Sequence, residues 1–259
     1  MITGDGALGA PDHAPYDKVI VTVGPWDLPP AWFDQLTPGG TLVVPSHWRG
    51  QARSVAFTRQ DTHLRATNSQ LCGFIPMIGI VPTGERTGTV VENVVLYWDT
   101  DQNIDPAALH EVFTGPESTV WSGASVVADE PFDHIWLWLT AIEPGTCRLD
   151  AEDEAIKAGL CHPAFAYRTP AIVEGGSLAY LTKPRPIDQD GERRYELGAT
   201  GHGPAAAQLA ERLVAQIRRF DRDRAAQPVI TAYPAGTADE NLPTGVIIDK
   251  HHVRMVATP

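Results

Sequence analysis

The sequence predicts an α/β fold that is followed by an α+β region. Residues 18–23 form a run rich in β-branched side chains, which is expected of a central parallel strand buried on both faces. Residues 41–45 predict a second strand, and residues 30–36 between them predict a short helix. Because a short helical crossover joins these two strands, we expect them to be adjacent and parallel.

The next elements extend this sheet and then change in character. Residues 54–59 and 63–68 predict two antiparallel strands around a turn at residues 60–62. The stretch 82–88 is polar, rich in turn residues and without an apolar period, which is typical of a domain boundary. The prediction is therefore a first domain at residues 1–81 and a second, α+β domain at residues 82–259.

The second domain mixes strands and helices. Strands are predicted at residues 90–98, 119–127, 167–173, 177–183, 193–197, 229–233 and 246–253. A short helix should begin at Pro106 with Asp105 as its N-cap. Apolar residues recur on one face at residues 131–142 and 204–223, which favours a helix in each.

Composition excludes several classes of partner. The formal net charge of −12 argues against nucleic acid and against an anionic membrane surface. No apolar run is long enough to span a bilayer, and no secretory signal pattern opens the chain. Three cysteines at uneven spacing fit reduced thiols better than a disulfide framework. We therefore expect a cytoplasmic protein with neither nucleic acid nor membrane as partner.

The strongest candidate binding residues lie next to the first predicted strand. Asp5 stands between Gly4 and Gly6 in a turn just before that strand. A carboxylate in such a turn can accept a hydrogen bond from an exocyclic amine, and a neighbouring glycine lets a flat base approach the backbone. Thr22 lies near the carboxyl end of the strand, where ligands of open α/β sheets bind.

Several motifs resemble a known family in their order along the chain. The run at residues 4–22, GDGALGAPDHAPYDKVIVT, is followed by LPP at 28–30 and QLTPGGTLVVP at 35–45. Together they resemble the second half of the protein-L-isoaspartate O-methyltransferase domain, over about a third of the chain. Residues 132–139 and 233–237 are similar to the C-terminal region of actinobacterial, lanthipeptide-associated methyltransferases of the "FxLD" type.

This resemblance implies a Rossmann-like fold with S-adenosylmethionine as cofactor. It places Asp5 near the adenine amino group, the backbone at Gly6 beside the ring, and Thr22 near the reactive end. The implied reaction transfers a methyl group to a carboxylate oxygen of a protein or of a ribosomally made, lanthipeptide-like peptide. It names no catalytic residue within this sequence.

One departure from the family pattern affects every functional expectation. The family's glycine-rich loop, its ribose-binding acidic residue and its Ser/Thr substrate motif all precede the Gly-Asp-Gly turn, whereas this sequence starts at Met1. We therefore expect a partial Rossmann-like S-adenosylmethionine methyltransferase fold that lacks its N-terminal half and is inactive alone. Such a fold would leave a sheet face uncovered, so an oligomer through the exposed sheet is expected.

Other functions stay open at this point. The chain could instead be a non-catalytic peptide-binding module that retains a methyltransferase remnant, or its second domain could only cap the sheet. Four aromatic residues of the second domain would form a core or, alternatively, a groove for an apolar peptide. They are Trp121, Phe132, Trp136 and Trp138.

Histidine, cysteine and acidic residues suggest two weaker possibilities. Residues 198–203 could be a turn that presents His202 or a helix N-terminus to an anion. A metal site is not expected, because too few potential ligands share one face. The candidates are the pairs Asp249/His251 and Cys161/His162, with His252 and Cys147 elsewhere.

Overall fold

A computed structural model describes residues 3–79 and 83–259. The strands are β1 (Tyr16–Ile20), β2 (Leu36–Trp48), β3 (Gln51–Arg59), β4 (Leu64–Leu71), β5 (Glu85–Val91), β6 (Val94–Asp99), β7 (Glu117–Val126), β8 (Thr146–Ala151), β9 (Thr169–Glu174), β10 (Ser177–Gln189), β11 (Glu192–His202), β12 (Val229–Pro234), β13 (Val246–Asp249) and β14 (Val253–Thr258). The α-helices are α1 (Pro30–Asp34), α2 (His134–Ile142), α3 (Asp153–Lys157) and α4 (Ala206–Arg222). Short 3₁₀ helices lie at Gly6–Leu8, Pro11–His13, Pro106–Leu109, Val112–Thr114 and Asp239–Asn241.

The described residues form two compact units, each built on its own sheet. The first unit contains residues up to Glu85 together with Pro228–Pro259, and the second contains Arg86–Gln227. This grouping differs from the predicted division at residues 81 and 82, which kept 228–259 in the second domain. The physical reason is that β12 pairs with β4, so the last strands extend the first sheet.

The first sheet has the strand order β1-β2-β3-β4-β12-β14-β13. β1 and β2 are parallel, with Lys18 opposite Thr41 and Ile20 opposite Val43, and α1 lies between them in the chain. The predicted parallel pair and its short helix are thus confirmed. The predicted antiparallel pair is confirmed as β3 and β4. The α/β class holds for this unit, while the Rossmann-like detail stays a prediction.

β1 occupies an edge of the described sheet, where the sequence predicted a central, buried strand. It ends at Ile20 rather than at residue 23, and the side chain of Ile20 is 70% exposed. Its only partner strand in the described sheet is β2. The apolar side chains of residues 18–23 are therefore not buried in this unit, although their pattern predicts burial.

Three predicted elements of the later chain need correction. Residues 90–98 form the pair β5 and β6, because Asn93 adopts a left-handed backbone conformation (φ 67°) that turns the chain. Residues 246–253 divide into β13 and β14 around a turn at residues 250–252. Residues 198–202 continue β11 and pair with β7, so they are not the predicted turn.

The second unit has the strand order β5-β6-β8-β9-β10-β11-β7. Along β10, Ala179 and Leu181 belong to one apolar cluster and Leu178 and Tyr180 to another, so both faces of the sheet are covered. α2 and α4 pack over the first of these faces. The helices predicted at residues 131–142 and 204–223 are confirmed as α2 and α4. The predicted N-cap role of Asp105 is also confirmed, because its side chain accepts a hydrogen bond from the Ala107 N–H.

The predicted aromatic group divides between core and surface contacts. Trp138 is buried in the cluster under α2 and α4, and Phe132 packs against that cluster. Trp121 lies under the guanidinium of Arg185, at 4.4 Å from its ring centre. A continuous groove made of these side chains is therefore not observed in the second unit.

We expect His202, at the end of β11, to make the stability of the second unit dependent on pH. Its Nε2 lies 3.1 Å from the Tyr180 hydroxyl, and Nδ1 is buried without a hydrogen-bond partner in the part of the chain described. Burial lowers the pKa of His202, with a smaller opposing effect of Glu117. The folded imidazole therefore stays neutral where an unfolded histidine, with a pKa of about 6.5, already binds a proton.

The contribution of His202 to the free energy of unfolding should accordingly be fully present above about pH 6.5. It should be lost as the pH falls from there through the lowered pKa of the folded state. Urea unfolding of the whole chain between pH 7.5 and 5 checks this. His202→Phe should make the dependence on pH shallower, whereas the exposed His13→Gln should not. An equal slope in both variants would contradict the prediction.

Candidate functional site

A cleft of about 460 Å³ runs along β1 and the three residues that follow it. All its walls belong to the first unit. They come from the turn before β1, from β1 and the three residues after it, from α1 and its C-cap, and from residue 77. Its lining residues are Gly4, Asp5, Gly6, Gly9, Ala10, Tyr16, Lys18, Val19, Ile20, Val21, Thr22, Val23, Trp32, Gln35 and Met77.

The three predicted site residues come together in this cleft. Asp5 and Gly6 lie in the turn before β1, and Thr22 lies two residues beyond its end. Thr22 is exposed, and Asp5 is partly exposed. Their proximity is a finding about geometry, whereas their roles in binding stay predictions.

Asp5 organises the turn in which it stands. Its Oδ1 accepts from the Ala7 N–H at 2.9 Å and thereby caps the 3₁₀ helix Gly6–Leu8. Gly9 ends that helix in a left-handed conformation (φ 65°), which a side chain would strain. On the other side, a Cβ at Gly79 would lie 3.3 Å from Oδ2 of Asp5, a tight contact that would require the carboxylate to shift slightly.

Three side chains that the sequence pattern did not mark hold this turn in place. The indole of Trp32 in α1 donates to the Gly6 carbonyl at 2.9 Å. Gln35 accepts from the Ala10 N–H at 2.8 Å and donates to the Leu8 carbonyl at 2.9 Å. The Tyr16 hydroxyl donates to the Ala10 carbonyl at 2.7 Å. The residues just before β1 are therefore positioned by α1 and β1.

Gln35→Ala should loosen this turn. The change removes one donor and one acceptor, and because the site is partly exposed we expect a loss of about 1 kcal/mol in the free energy of unfolding. Urea unfolding measures that loss, and hydrogen exchange at the Ala10 amide should accelerate more than exchange in β3. Asp34→Ala, an exposed change on the same helix, is the control. Equal exchange at Ala10 in both variants would show that Gln35 does not hold the turn.

The cleft fits the adenine end of a nucleoside cofactor. Side chains built at Gly4 and Gly6 would meet only open space, so a flat ring can approach the main chain at both. Asp5 supplies the only carboxylate among the lining residues that the structure describes, beside mostly apolar groups. A second carboxylate, of the kind that binds ribose hydroxyls, is not among those residues.

The other candidate residues are not among the described lining residues of the cleft, and each has local contacts of its own. Asp249 accepts from Arg254 at 2.7 Å, while His252 pairs with Asp27. Burial raises the pKa of the Cys147 thiol, and it raises that of Cys161 to about 11, so both stay protonated. Residues 3–79 and 83–259 contain no group of three or more potential metal ligands.

Asp5, Gly6 and Thr22 thus lie around one cleft beside β1, a parallel strand at the edge of the described first sheet. Residues 1–81 match the profile of the family "Protein-L-isoaspartate(D-aspartate) O-methyltransferase (PCMT)". The curated proteins that this chain is similar to include two named protein-L-isoaspartate O-methyltransferase. The one from Methanopyrus kandleri is 38% identical over 80 residues, which is 30% of this chain and 35% of the relative. The one from Pyrococcus horikoshii is 37% identical over 81 residues, which is 30% of this chain and 37% of the relative.

These similarities concern the first part of the chain. The chain spans about a third of the length of these curated relatives. A solved structure titled protein-L-isoaspartate O-methyltransferase aligns over 89% of this chain and 55% of its own, at 17% identity and a TM-score of 0.31, which is too low to assign the fold. Within the described residues, no helix is both long enough and apolar enough to cross a membrane.

Proposed function

We propose that this chain belongs to an S-adenosylmethionine-dependent O-methyltransferase of the protein-L-isoaspartate type. The observation that carries the proposal is the cleft along β1. Asp5, Gly6 and Thr22 line it together, and all three lie in the segment that matches the family.

Each of these residues has a specific role in the proposal. The Asp5 carboxylate accepts a hydrogen bond from the adenine amino group, and the open main chain at Gly6 lies beside the ring. Thr22 lies at the end of β1, where the methyl group is presented to its acceptor. When bound, S-adenosylmethionine supplies an electrophilic methyl group on a sulfonium.

The proposed acceptor is a carboxylate of a protein or of a lanthipeptide-like peptide. A carboxylate is already ionised at neutral pH, so the transfer needs little help from a general base. Positioning of the two reactants then provides most of the acceleration.

A second part of the proposal concerns activity of residues 1–259 by themselves. Among the residues that the structure describes, the lining of the cleft provides a polar partner for adenine but no second carboxylate for the ribose. β1 is also open along one edge. We therefore propose that the cleft is completed by a further polypeptide segment and that this chain alone is inactive.

A radioactive methyl-transfer assay tests the proposed reaction. The enzyme is a chimera in which residues 3–259 follow the portion of the Pyrococcus horikoshii relative that precedes its matched segment. We expect transfer to an isoaspartyl peptide in preference to the matched aspartyl peptide, and none by residues 1–259. Transfer to neither peptide by a folded chimera that binds the cofactor would overturn the assignment of the acceptor.

The exposed edge of β1 should also drive association. The Val21 N–H donates to the Val43 carbonyl, and main-chain groups alternate between the edges of a strand, so those of Ile20 face the open edge. With the side chain of Ile20 also exposed, we expect oligomers in sedimentation velocity at micromolar concentration. Ile20→Lys should shift the chain toward monomer, whereas Tyr167→Lys, which changes an exposed residue of the second unit, should not. A monomeric native chain would contradict this prediction.

A peptide-binding module remains the alternative function, and one feature of the second unit favours it. Phe165 and Tyr167 are exposed, and the ring of Phe165 stacks on that of Phe132 at 5.5 Å between centres. If this aromatic surface were the functional site, Phe165→Ser would abolish capture of a peptide substrate, while Asp5→Ala would leave it unchanged.

A further inference from the structure

A buried carboxylate fixes the chain just beyond the cleft. Asp27 is fully buried, and its Oδ1 accepts from the Leu28 N–H at 2.8 Å. Its Oδ2 accepts twice from His252, from the main-chain N–H at 2.7 Å and from ring Nδ1 at 2.8 Å. One carboxylate thus joins the segment after β1 to the turn between β13 and β14.

Lys250 reinforces this junction from the same turn. Its ammonium donates to the main-chain carbonyls of Trp26 and His47 and lies 4.7 Å from the centre of the Trp26 ring. A cation in this position satisfies carbonyls of the segment after β1 and of β2 together. Residues 26–28 are therefore held to residues 250–252 by the ammonium of Lys250 and by the carboxylate of Asp27.

The held segment continues directly into two walls of the cleft. Thr22 and Val23 form one wall, and Gly24 follows them in the chain. The Gly24 N–H donates to the Ile75 carbonyl at 2.8 Å, and the Met77 N–H donates to the Gly24 carbonyl at 2.9 Å. Met77 also lines the cleft. Residues 24–28 are therefore linked to two lining residues, to Thr22 through the chain and to Met77 through the Gly24 carbonyl.

We propose that Asp27 and His252 are a positioning pair that sets the width of the cleft at the end where Thr22 lies. The inference rests on the proposed function only where it treats the cleft as a ligand site. The contacts that link Asp27 and His252 to Gly24 and Met77 do not depend on that function. Asp27 fixes the ring of His252 with a proton on Nδ1, because a carboxylate can only accept there. Neither residue lines the cleft, so their effect on a ligand passes through Gly24 and Met77.

Hydrogen exchange on the full chain tests the linkage. His252→Leu removes the ring donor and should accelerate exchange at the Gly24 and Met77 amides at least tenfold. His252→Asn keeps a donor close to the position of Nδ1 and should restore protection to within about threefold. His251→Leu changes the neighbouring residue of the same turn and is the matched control. Amides of Val55 and Phe57 in β3 should be unaffected in all three variants.

Unchanged exchange at Gly24 and Met77 in His252→Leu would overturn the proposal, as would equal loss of protection in His252→Asn. If His252→Leu fails to fold, Asp27→Asn measures the same linkage from the other side, and it should accelerate exchange at the same two amides. Unchanged exchange in Asp27→Asn would also overturn the proposal.

A ligand measurement separates this inference from the proposed function. Adenosine at millimolar concentration should shift the Met77 methyl resonance of the native chain and of His252→Asn, and should shift it at least threefold less in His252→Leu. Equal shifts in all variants would overturn the positioning role. No shift in the native chain would instead remove support from the proposed cofactor site, and the exchange data would still decide whether His252 holds the segment.

Discussion

Calorimetry with S-adenosylmethionine at micromolar concentrations should show no measurable binding to residues 1–259. Among the described lining residues Asp5 is the one carboxylate, and in the proposed function it contacts the adenine alone. Hydrogen bonds that involve charged groups contribute about 1.5 to 3 kcal/mol each. Because about 1.4 kcal/mol changes affinity tenfold, the absence of several such bonds should weaken binding by several orders of magnitude.

Binding should return in the chimera that supplies the preceding portion of the Pyrococcus horikoshii relative. In that protein, Asp5→Ala should weaken binding by about 10-fold to 100-fold, which corresponds to one charge-assisted hydrogen bond. Asp12→Ala is the control, because Asp12 carries the same charge in the next turn but does not line the cleft. Tight binding to residues 1–259 would contradict the account, since the pocket would then be built from other residues.

Arg212→Met should clearly destabilise the second unit. Glu143, just after α2, is buried, and the guanidinium of Arg212 in α4 binds both its carboxylate oxygens. The hydrogen bond to Glu143 raises the pKa of Arg212, and the bond to Glu174 adds a smaller increase. Removal of the cation leaves a buried carboxylate without its partner. Since Arg212 is partly exposed and water screens part of the charge, we expect a loss of about 2 to 3 kcal/mol.

Urea unfolding measures this loss, and a double substitution provides its control. Arg212→Met combined with Glu143→Leu removes both charges and should recover most of the stability, because no unpaired carboxylate stays buried. Arg218→Met, which breaks the exposed ion pair with Glu211, should change stability by less than about 1 kcal/mol. Additive losses in the double variant would show that the two residues do not act as a pair.

The elements that could be predicted are those specified by local pattern. The parallel arrangement of β1 and β2 follows from two β-branched runs and a short helix between them. α4 follows from its apolar stripe, and its buried residues Leu213 and Ile217 belong to the predicted face. The cap at Asp105 follows from the preference of short polar side chains for orphan N–H groups.

The features that could not be predicted depend on contacts far apart in the sequence. Nothing local indicates that β12 pairs with β4, or that Asp27 accepts from His252. Arg212 lies off the apolar stripe and therefore has the pattern of a solvated residue, yet it neutralises Glu143. Asn93 and the turn at residues 250–252 interrupt strands whose side-chain pattern alone is continuous.

The candidate site could be predicted in part. Asp5, Gly6 and Thr22 lie in a recognisable motif, and the structure brings them to one cleft. The residues that hold the turn, Trp32 and Gln35, belong to a helix whose pattern indicates packing only. Their role depends on side-chain hydrogen bonds to main-chain carbonyls and amides of residues 6–10, which residue type and spacing do not specify.

The most direct measurement is the structure of the chimera with S-adenosylhomocysteine bound. The account predicts the adenine in the cleft along β1, with its amino nitrogen about 2.7 to 3.2 Å from a carboxylate oxygen of Asp5. It also predicts that the sulfur lies on the side of the cleft formed by Thr22. A nucleoside bound elsewhere, or an adenine in the cleft with its amino group turned away from Asp5, would contradict the central claim.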